Sequence, residues 1–206
     1  MKASSAKFNL EESLWKLGIS TIAGIDEVGR GAWAGPVVAA AVVFHPFCKI
    51  DFKLYDSKLL SPKKREEIAE KIIKIAAGVG YGVVGLPTIN KKGIGFATQK
   101  AFKLSVNNLN IQPEYFLIDA FYIKHWSREN QNAIKRGDQI CASIAAASIV
   151  AKVFRDSLMR DLDKKYPKYG FSAHKGYGTP YHQKAIRKNK LSAVHRKSFN
   201  LSFLLT

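Results

Sequence analysis

Thr21-Ile22-Ala23-Gly24-Ile25-Asp26-Glu27-Val28-Gly29-Arg30-Gly31, followed by Pro36-Val37-Val38-Ala39-Ala40-Ala41-Val42-Val43-Phe44, decides how this chain folds. The first run reads as a strand over 21–28 and the second as a strand over 36–44, nearly all Val and Ala. Gly29, Gly31 and Gly35 supply the turn between them, so the pair predicts a hairpin. Two adjacent carboxylates therefore stand where an apolar strand opens into a glycine turn. Neighbours on a regular strand point to opposite faces. For Asp26 and Glu27 to serve one site the strand must end or bulge, which Gly24, Gly29 and Gly31 permit.

Outward from the hairpin, helix and strand signals alternate. Ser61-Pro62 pairs an N-cap residue with proline at the first helical position. Ile68, Ile72, Ile73 and Ile75 then carry helical spacing to about residue 77. A glycine-rich strand over 79–86 ends at Pro87. Thr88 is expected to cap a helix reaching about residue 106, with Ile89, Phe96, Ala97, Ala101 and Leu104 toward the core. Tyr115-Phe116-Leu117-Ile118-Asp119 is a short buried strand ending on an acid. A loop over 121–130 and Gly137-Asp138 lead into an Ala-rich helix over 143–164, whose small residues allow close packing on a sheet. Glycine and proline turns with one or two short helices complete the chain. Strands first, then helix and strand in alternation, predict an α/β fold with a mixed sheet flanked by helices. The expected division is a catalytic domain over 1–170 and a small basic helical segment over 171–206 packed on it.

Bulk composition narrows the function. The 206 residues carry 33 Lys and Arg against 16 Asp and Glu, a formal charge of +17, which attracts phosphate polymers. From Lys164 onward there are ten Lys and Arg and no acid. Tyr166, Tyr169, Phe171, Tyr177 and Tyr181 interleave with them, favouring a folded nucleic-acid surface over a solvated tail. Cys48 and Cys141 sit in apolar surroundings and read as small buried hydrophobes of a reducing compartment. The amino-terminal stretch over 1–18 has no apolar run of signal-peptide type, and the longest apolar runs fall far short of a membrane span. A soluble, cytoplasmic monomer with no membrane partner is the expectation.

Asp119 at a buried strand end, where no helix clearly begins at Ala120, favours a ligand role over a helix cap. Asp138 precedes the Ala-rich helix, where capping alone would explain it. Together Asp26, Glu27, Asp119 and Asp138 match what two divalent ions require, since Mg²⁺ and Mn²⁺ prefer carboxylate oxygens and such a pair can drive phosphodiester hydrolysis. Acids within a strongly basic chain fit cation binding better than repulsion of an anionic ligand. Other readings carry less. Gly29-Arg30-Gly31 and Gly80-Tyr81-Gly82 fit a dinucleotide pattern loosely but lack its strand-turn-helix context. A non-catalytic nucleic-acid-binding module explains the charge but not the acids. His174, in a glycine-rich basic turn, suits a phosphate or structural contact, and Arg155 is an even choice for pairing with Asp156 or Asp161. Asp56-Ser57-Lys58 precedes a helix start where a DNA phosphate could sit against Ser57 and Lys58; a plain turn is the equal alternative.

In order and wording, these pieces resemble bacterial ribonuclease HII. The resemblance rests on Gly24-Ile25-Asp26-Glu27-Val28-Gly29-Arg30-Gly31, Ala34-Gly35-Pro36-Val37, Asp56-Ser57-Lys58, Gly137-Asp138, Ser143 through Val153, Arg155-Asp156, His174-Lys175-Gly176-Tyr177-Gly178-Thr179 and His195-Arg196-Lys197-Ser198-Phe199. It implies a ribonuclease H-like fold and cleavage of RNA paired with or joined to DNA, on the 5′ side of a ribonucleotide, leaving 3′-hydroxyl and 5′-phosphate ends. It further implies that Asp26, Glu27, Asp119 and Asp138 are catalytic metal ligands. Gly29, Arg30 and Gly31 would read the 2′-hydroxyl through their backbone, and Tyr177 would stack on the sugar beyond the junction. Ala120, Ile140 and Cys141 depart from the family pattern of Gly after the third acid and Lys and Ser after the fourth.

Overall fold

A computed structural model describes residues 5–205; Met1 and Lys2 of the amino-terminal stretch lie outside them. The hairpin forms as β1 (Ile22–Val28) and β2 (Val37–Phe44), antiparallel with Asp26 opposite Ala40 and Glu27 opposite Ala39. β3 (Ala76–Val84) adds antiparallel to β2, while β4 (Tyr115–Asp119) and β5 (Gln131–Ile134) add in parallel on the other side of β1. The sheet order is β3-β2-β1-β4-β5, so β1 sits at its centre between an antiparallel and a parallel half.

Helices cover both faces. α2 (Pro62–Ile75) and α4 (Ala142–Lys165) pack on one face, over Ala40, Val42 and Phe44. α3 (Leu86–Asn107) covers the other, over Ala23, Ile25, Ala39, Ala41 and Val43. A buried strand packed on both sides must be apolar on both faces, which explains the unbroken Val and Ala of β2. At Gly24 a side chain would collide with the backbone of Ser143 and Ile144, so this glycine lets the start of α4 lie directly on β1. Gly80 and Gly82 similarly admit the α3 backbone against β3.

Local chemistry accounts for the boundaries, with several corrections. Ser61 caps α2 as expected, its hydroxyl accepting from the Lys64 amide at 3.3 Å. α3 begins at Leu86 with Gly85 as N-cap rather than at Thr88, because Pro87 is itself well suited to the first turn. Its helical geometry breaks at Gly93 (φ 79°, ψ 166°). Beyond the break the core face is Ala97, Thr98, Ala101, Phe102 and Ser105. Phe96 lies off that face, 46% exposed, contrary to the expected core position. β5 was not expected, since its four residues show no alternation. α1 (Asn9–Lys16) is likewise additional, and its buried Glu11 has a definite task. The Glu11 carboxylate accepts from the Ser143 amide at 2.7 Å and from the Cys141 thiol at 3.1 Å, capping α4 from a distant part of the chain. Asp138 is therefore not the cap.

The carboxy-terminal segment contains α5 (Phe171–His174) and α6 (Pro180–Asn189) and packs on α4. Tyr169 and Phe171 are buried there with Met159 and Ala185, so of the interleaved aromatics only Tyr166, Tyr177 and Tyr181 retain exposure. No helix among the described residues is long and apolar enough to cross a membrane.

Candidate active site

Asp26, Glu27 and Asp119 stand at the carboxyl ends of β1 and β4, and Asp138 lies in a short turn after β5. The last paired rung between these strands is Ile25 opposite Ile118, so Asp119 stands one residue further, level with Asp26. β4 then turns away through Ala120, which holds a left-handed φ of 56°. The edge of β1 past Ile25 is thereby uncovered on this side. The expected break in β1 itself does not occur, for its pairing with β2 is regular through Val28. The opening comes instead from the end of β1/β4 pairing at Ile25 and Ile118, just before Asp26 and Glu27. After β5 the chain reverses at Arg136, also left-handed at φ 57°. Gly137 then donates its amide to Asp119 Oδ1 at 2.7 Å, tying Asp138 to the same corner.

The electrostatics of these acids reflects burial first and neighbouring charge second. Burial raises the Asp26 carboxyl well above the usual range, and the charges of Glu27 and Asp119 raise it further; Ser148 opposes by hydrogen bonding. Burial also raises Glu27, where Arg30 opposes and Asp119 adds. Asp119 and Asp138 are raised in the same way, first by burial, and both feel the negative charge of Asp56 and the positive charge of Lys58. Asp56 is thus a fifth acid beside the site that sequence reasoning assigned no such part. Glu27 Oε2 is buried without a hydrogen-bond partner. Neighbouring carboxylates raised by burial and by nearby acids, with an unpartnered buried oxygen, suit a cation. Among the described residues no group of three or more His, Cys, Asp or Glu stands so that it could hold a metal ion with the side chains as they are placed.

Ser57 lies elsewhere than expected. Its hydroxyl is buried and bonded to the Ser148 hydroxyl at 3.0 Å, behind Asp26 rather than facing solvent. Lys58 is exposed, in a turn closed by its amide on Asp56 Oδ1 at 2.9 Å. In the Gly29-Arg30-Gly31 loop, a side chain at Gly29 would collide with Arg155, whereas one at Gly31 would meet nothing, so the backbone there is open to a ligand. Arg30 lies 3.5 Å from Glu27.

Two buried arginines hold this loop, and neither was anticipated in that role. Arg155 pairs with neither Asp156 nor Asp161; it donates to the carbonyls of Pro36 (3.0 Å), Lys175 (2.9 Å) and Ala34 (3.2 Å). Asp156 is taken instead by Lys152 at 2.7 Å and Arg65 at 3.6 Å. Arg196 donates to the carbonyls of Gly35 (3.1 Å) and Arg30 (2.8 Å), and burial pushes its pKa down to about 9. A planar fork of donors suits several carbonyls at once.

Tyr177 is held from below by histidines. His174 accepts from the Gly176 amide through Nδ1 (3.2 Å) and contacts the Tyr169 carbonyl through Nε2 (2.8 Å). His182 Nδ1 meets the Tyr177 carbonyl (2.9 Å), and its Nε2 meets His195 Nε2 at 3.1 Å. Since His195 Nδ1 accepts from the Ser192 amide at 2.9 Å, its Nε2 carries the proton given to His182. The Arg155 and Lys152 cations lie 5.5 and 5.9 Å from the Tyr177 ring centroid. His174 is structural, as one of its two expected roles allowed.

The departures from pattern also find places. Ala120 occupies the left-handed position, Ile140 is exposed, and Cys141 joins the Glu11 cap. A cavity of about 690 Å³ lies among Val106, Pro113, Phe116 and Trp126 at the other end of β4 from Asp119. It takes no part in this corner.

A mixed sheet in this order, helices on both faces and acids at the β1/β4 ends define a nuclease of ribonuclease H-like architecture. The ribonuclease H2 of Pyrococcus horikoshii OT3 superposes with a TM-score of 0.74 at 24% identity, over 87% of this chain and 94% of that one, which supports the fold. RNase HII in the PCNA complex from Archaeoglobus fulgidus gives 0.71 at 26% identity, over 90% and 97%. The family model for Ribonuclease HII matches residues 23–202. Ribonuclease HII of Acetivibrio thermocellus is 47% identical over 195 residues, 95% of this chain and 75% of that protein. That of Acholeplasma laidlawii is 47% identical over 190 residues, 92% of each. The chain belongs to the ribonuclease HII family, and its activity is that of a type HII ribonuclease H, an endonuclease.

Proposed function

We propose that Asp26, Glu27, Asp119 and Asp138 bind two divalent ions, Mg²⁺ or Mn²⁺, and that the chain cuts RNA/DNA hybrids and ribonucleotides embedded in duplex DNA. The observation that carries this reading is the set of carboxylates raised by burial and by neighbouring acids where β4 stops pairing with β1, with Glu27 Oε2 buried and unpartnered. A related protein, Bst-RNase HIII, has been crystallised with Mn²⁺. Bound ions would supply Lewis-acid activation of water and neutralise charge on the leaving oxygen.

The chain's own residues do the rest. Arg196 fixes the Gly29-Arg30-Gly31 loop at the Arg30 carbonyl and Arg155 holds the following turn at Ala34 and Pro36; the loop faces the 2′-hydroxyl, the one group that locally separates RNA from DNA. Tyr177, set on its histidine support, stacks on the neighbouring sugar. Lys58 takes a backbone phosphate, while Ser57 orients Ser148 and through it Asp26. Cleavage falls 5′ of the ribonucleotide, leaving a 3′-hydroxyl and a 5′-phosphate. On this reading the body over 1–170 is catalytic, the segment over 171–206 buttresses it, and the chain works as a cytoplasmic monomer.

The test is a labelled DNA duplex containing one ribonucleotide, incubated with and without Mg²⁺ or Mn²⁺. A metal-dependent nick on the 5′ side is expected; binding without a nick under any metal condition would reject the proposal.

A further inference from the structure

Beyond the acids, α3 presents a basic groove with two exposed aromatic rings. A cavity of about 480 Å³ is lined by Arg30, Phe96, Lys100, Lys103, Phe121 and Lys124. A second of about 290 Å³ adjoins it, sharing Phe96 and Lys100 and adding Lys91 and Lys92. No Asp or Glu lines either one. Phe96 and Phe121 are 46% and 40% exposed. Each carries a cation over its ring, Lys92 at 4.4 Å from the Phe96 centroid and Arg30 at 4.5 Å from that of Phe121. Arg30 also stands beside Glu27, and Phe121 follows Asp119 by two residues, so the groove begins where the acids end.

We infer that this groove binds an unpaired, single-stranded stretch of the nucleic acid on which the site acts, with bases stacked on Phe121 and Phe96 and phosphates on the lysines. A duplex keeps its base faces stacked inside and offers only edges and backbone. Partly exposed rings in a concave, acid-free, lysine-rich setting, each with a cation at its ring, fit bases that have left the helix. The volume falls within the range of small-ligand pockets, large enough for an extruded base. Charge sets the sign of the ligand, and the aromatic pair selects bases over bare phosphate. The inference rests on the nucleic-acid reading of the site and adds a substrate feature to it.

The experiment compares a duplex bearing one ribonucleotide with the same duplex carrying a short unpaired tail, 5′ or 3′, ending near the cleavage position. An abasic tail of equal charge is the control. For the chain as it stands, one tail polarity should tighten binding by about 5- to 100-fold for a stacked base, and a 2-aminopurine in that tail should be quenched. The abasic tail should lack most of that gain. The double variant F96A/F121A should lose it while cutting the tail-less duplex as before. Because both rings are partly exposed, thermal melting should show the variant folded; K100E/K103E provides a second variant, expected to weaken tail binding without altering the rings. If neither tail tightens binding, or if the gain survives F96A/F121A or is matched by the abasic tail, the inference is overturned. Failure to cut the tail-less duplex at all would instead reject the proposed function.

Discussion

Acid should loosen this protein through His182 and His195, and the size of the effect follows from their setting. Burial holds both rings down at about 4 against a usual value of 6.5, with neighbouring histidines adding to it. An unfolded chain takes up these protons first, so the stabilisation is present above about pH 6.5 and is lost as pH falls through about 4. Between about pH 7 and about pH 5, a shift of this size removes about 2 kcal/mol for each ring. His195→Asn isolates one ring, because an amide oxygen can replace Nδ1 as acceptor of the Ser192 amide but cannot titrate. Urea unfolding, followed by the fluorescence of Trp33, whose ring centroid lies 5.7 Å from that of His182, gives stability at both pH values. The carboxylates titrate alike in both proteins and cancel in the difference. The variant should lose about 2 kcal/mol less than the parent on acidification. Equal losses in the two proteins would refute the buried neutral pair.

Asp119→Asn should slow single-turnover cleavage by about 1000-fold or more, since several kcal/mol of metal-supplied stabilisation depend on such ligands, while duplex affinity in the absence of metal changes little; preserved turnover would remove Asp119 from the site. Arg155→Met leaves three carbonyls without their donor and should cost about 3–5 kcal/mol in urea unfolding; a loss below about 1 kcal/mol would show that the carbonyls find other partners. Ala120→Gly relieves a left-handed alanine and should raise stability by about 1 kcal/mol, read as a higher urea midpoint; a lower midpoint would contradict the strain. Gly29→Ala should damage both folding and cleavage, because its side chain would meet Arg155, whereas Gly31→Ala should fold normally and lose mainly substrate affinity, as measured by equilibrium binding.

The hairpin and the α2 cap at Ser61 were legible from the sequence because each is a local pattern: two apolar runs flanking a glycine turn, and N-cap chemistry before a proline. Short β5 carries no such pattern, and the Gly93 break that accompanies an outward-facing Phe96 depends on backbone angles that composition does not reveal. The resemblance to ribonuclease HII made the motifs readable as one proposed site, yet could not say what uncovers the β1 edge beside Asp26 and Glu27. That was decided by β4, whose pairing with β1 stops at Ile118 while its pairing with β5 continues to Asp119. Likewise the burial of Ser57 behind Asp26, the Glu11 cap on α4 and the arginines under the Gly29-Arg30-Gly31 loop join residues far apart in the chain. Local sequence sets which backbone a segment prefers and which chemistry it carries. Which polar groups meet in the interior depends on tertiary packing, because a buried donor or acceptor must be paired by whatever the fold brings beside it.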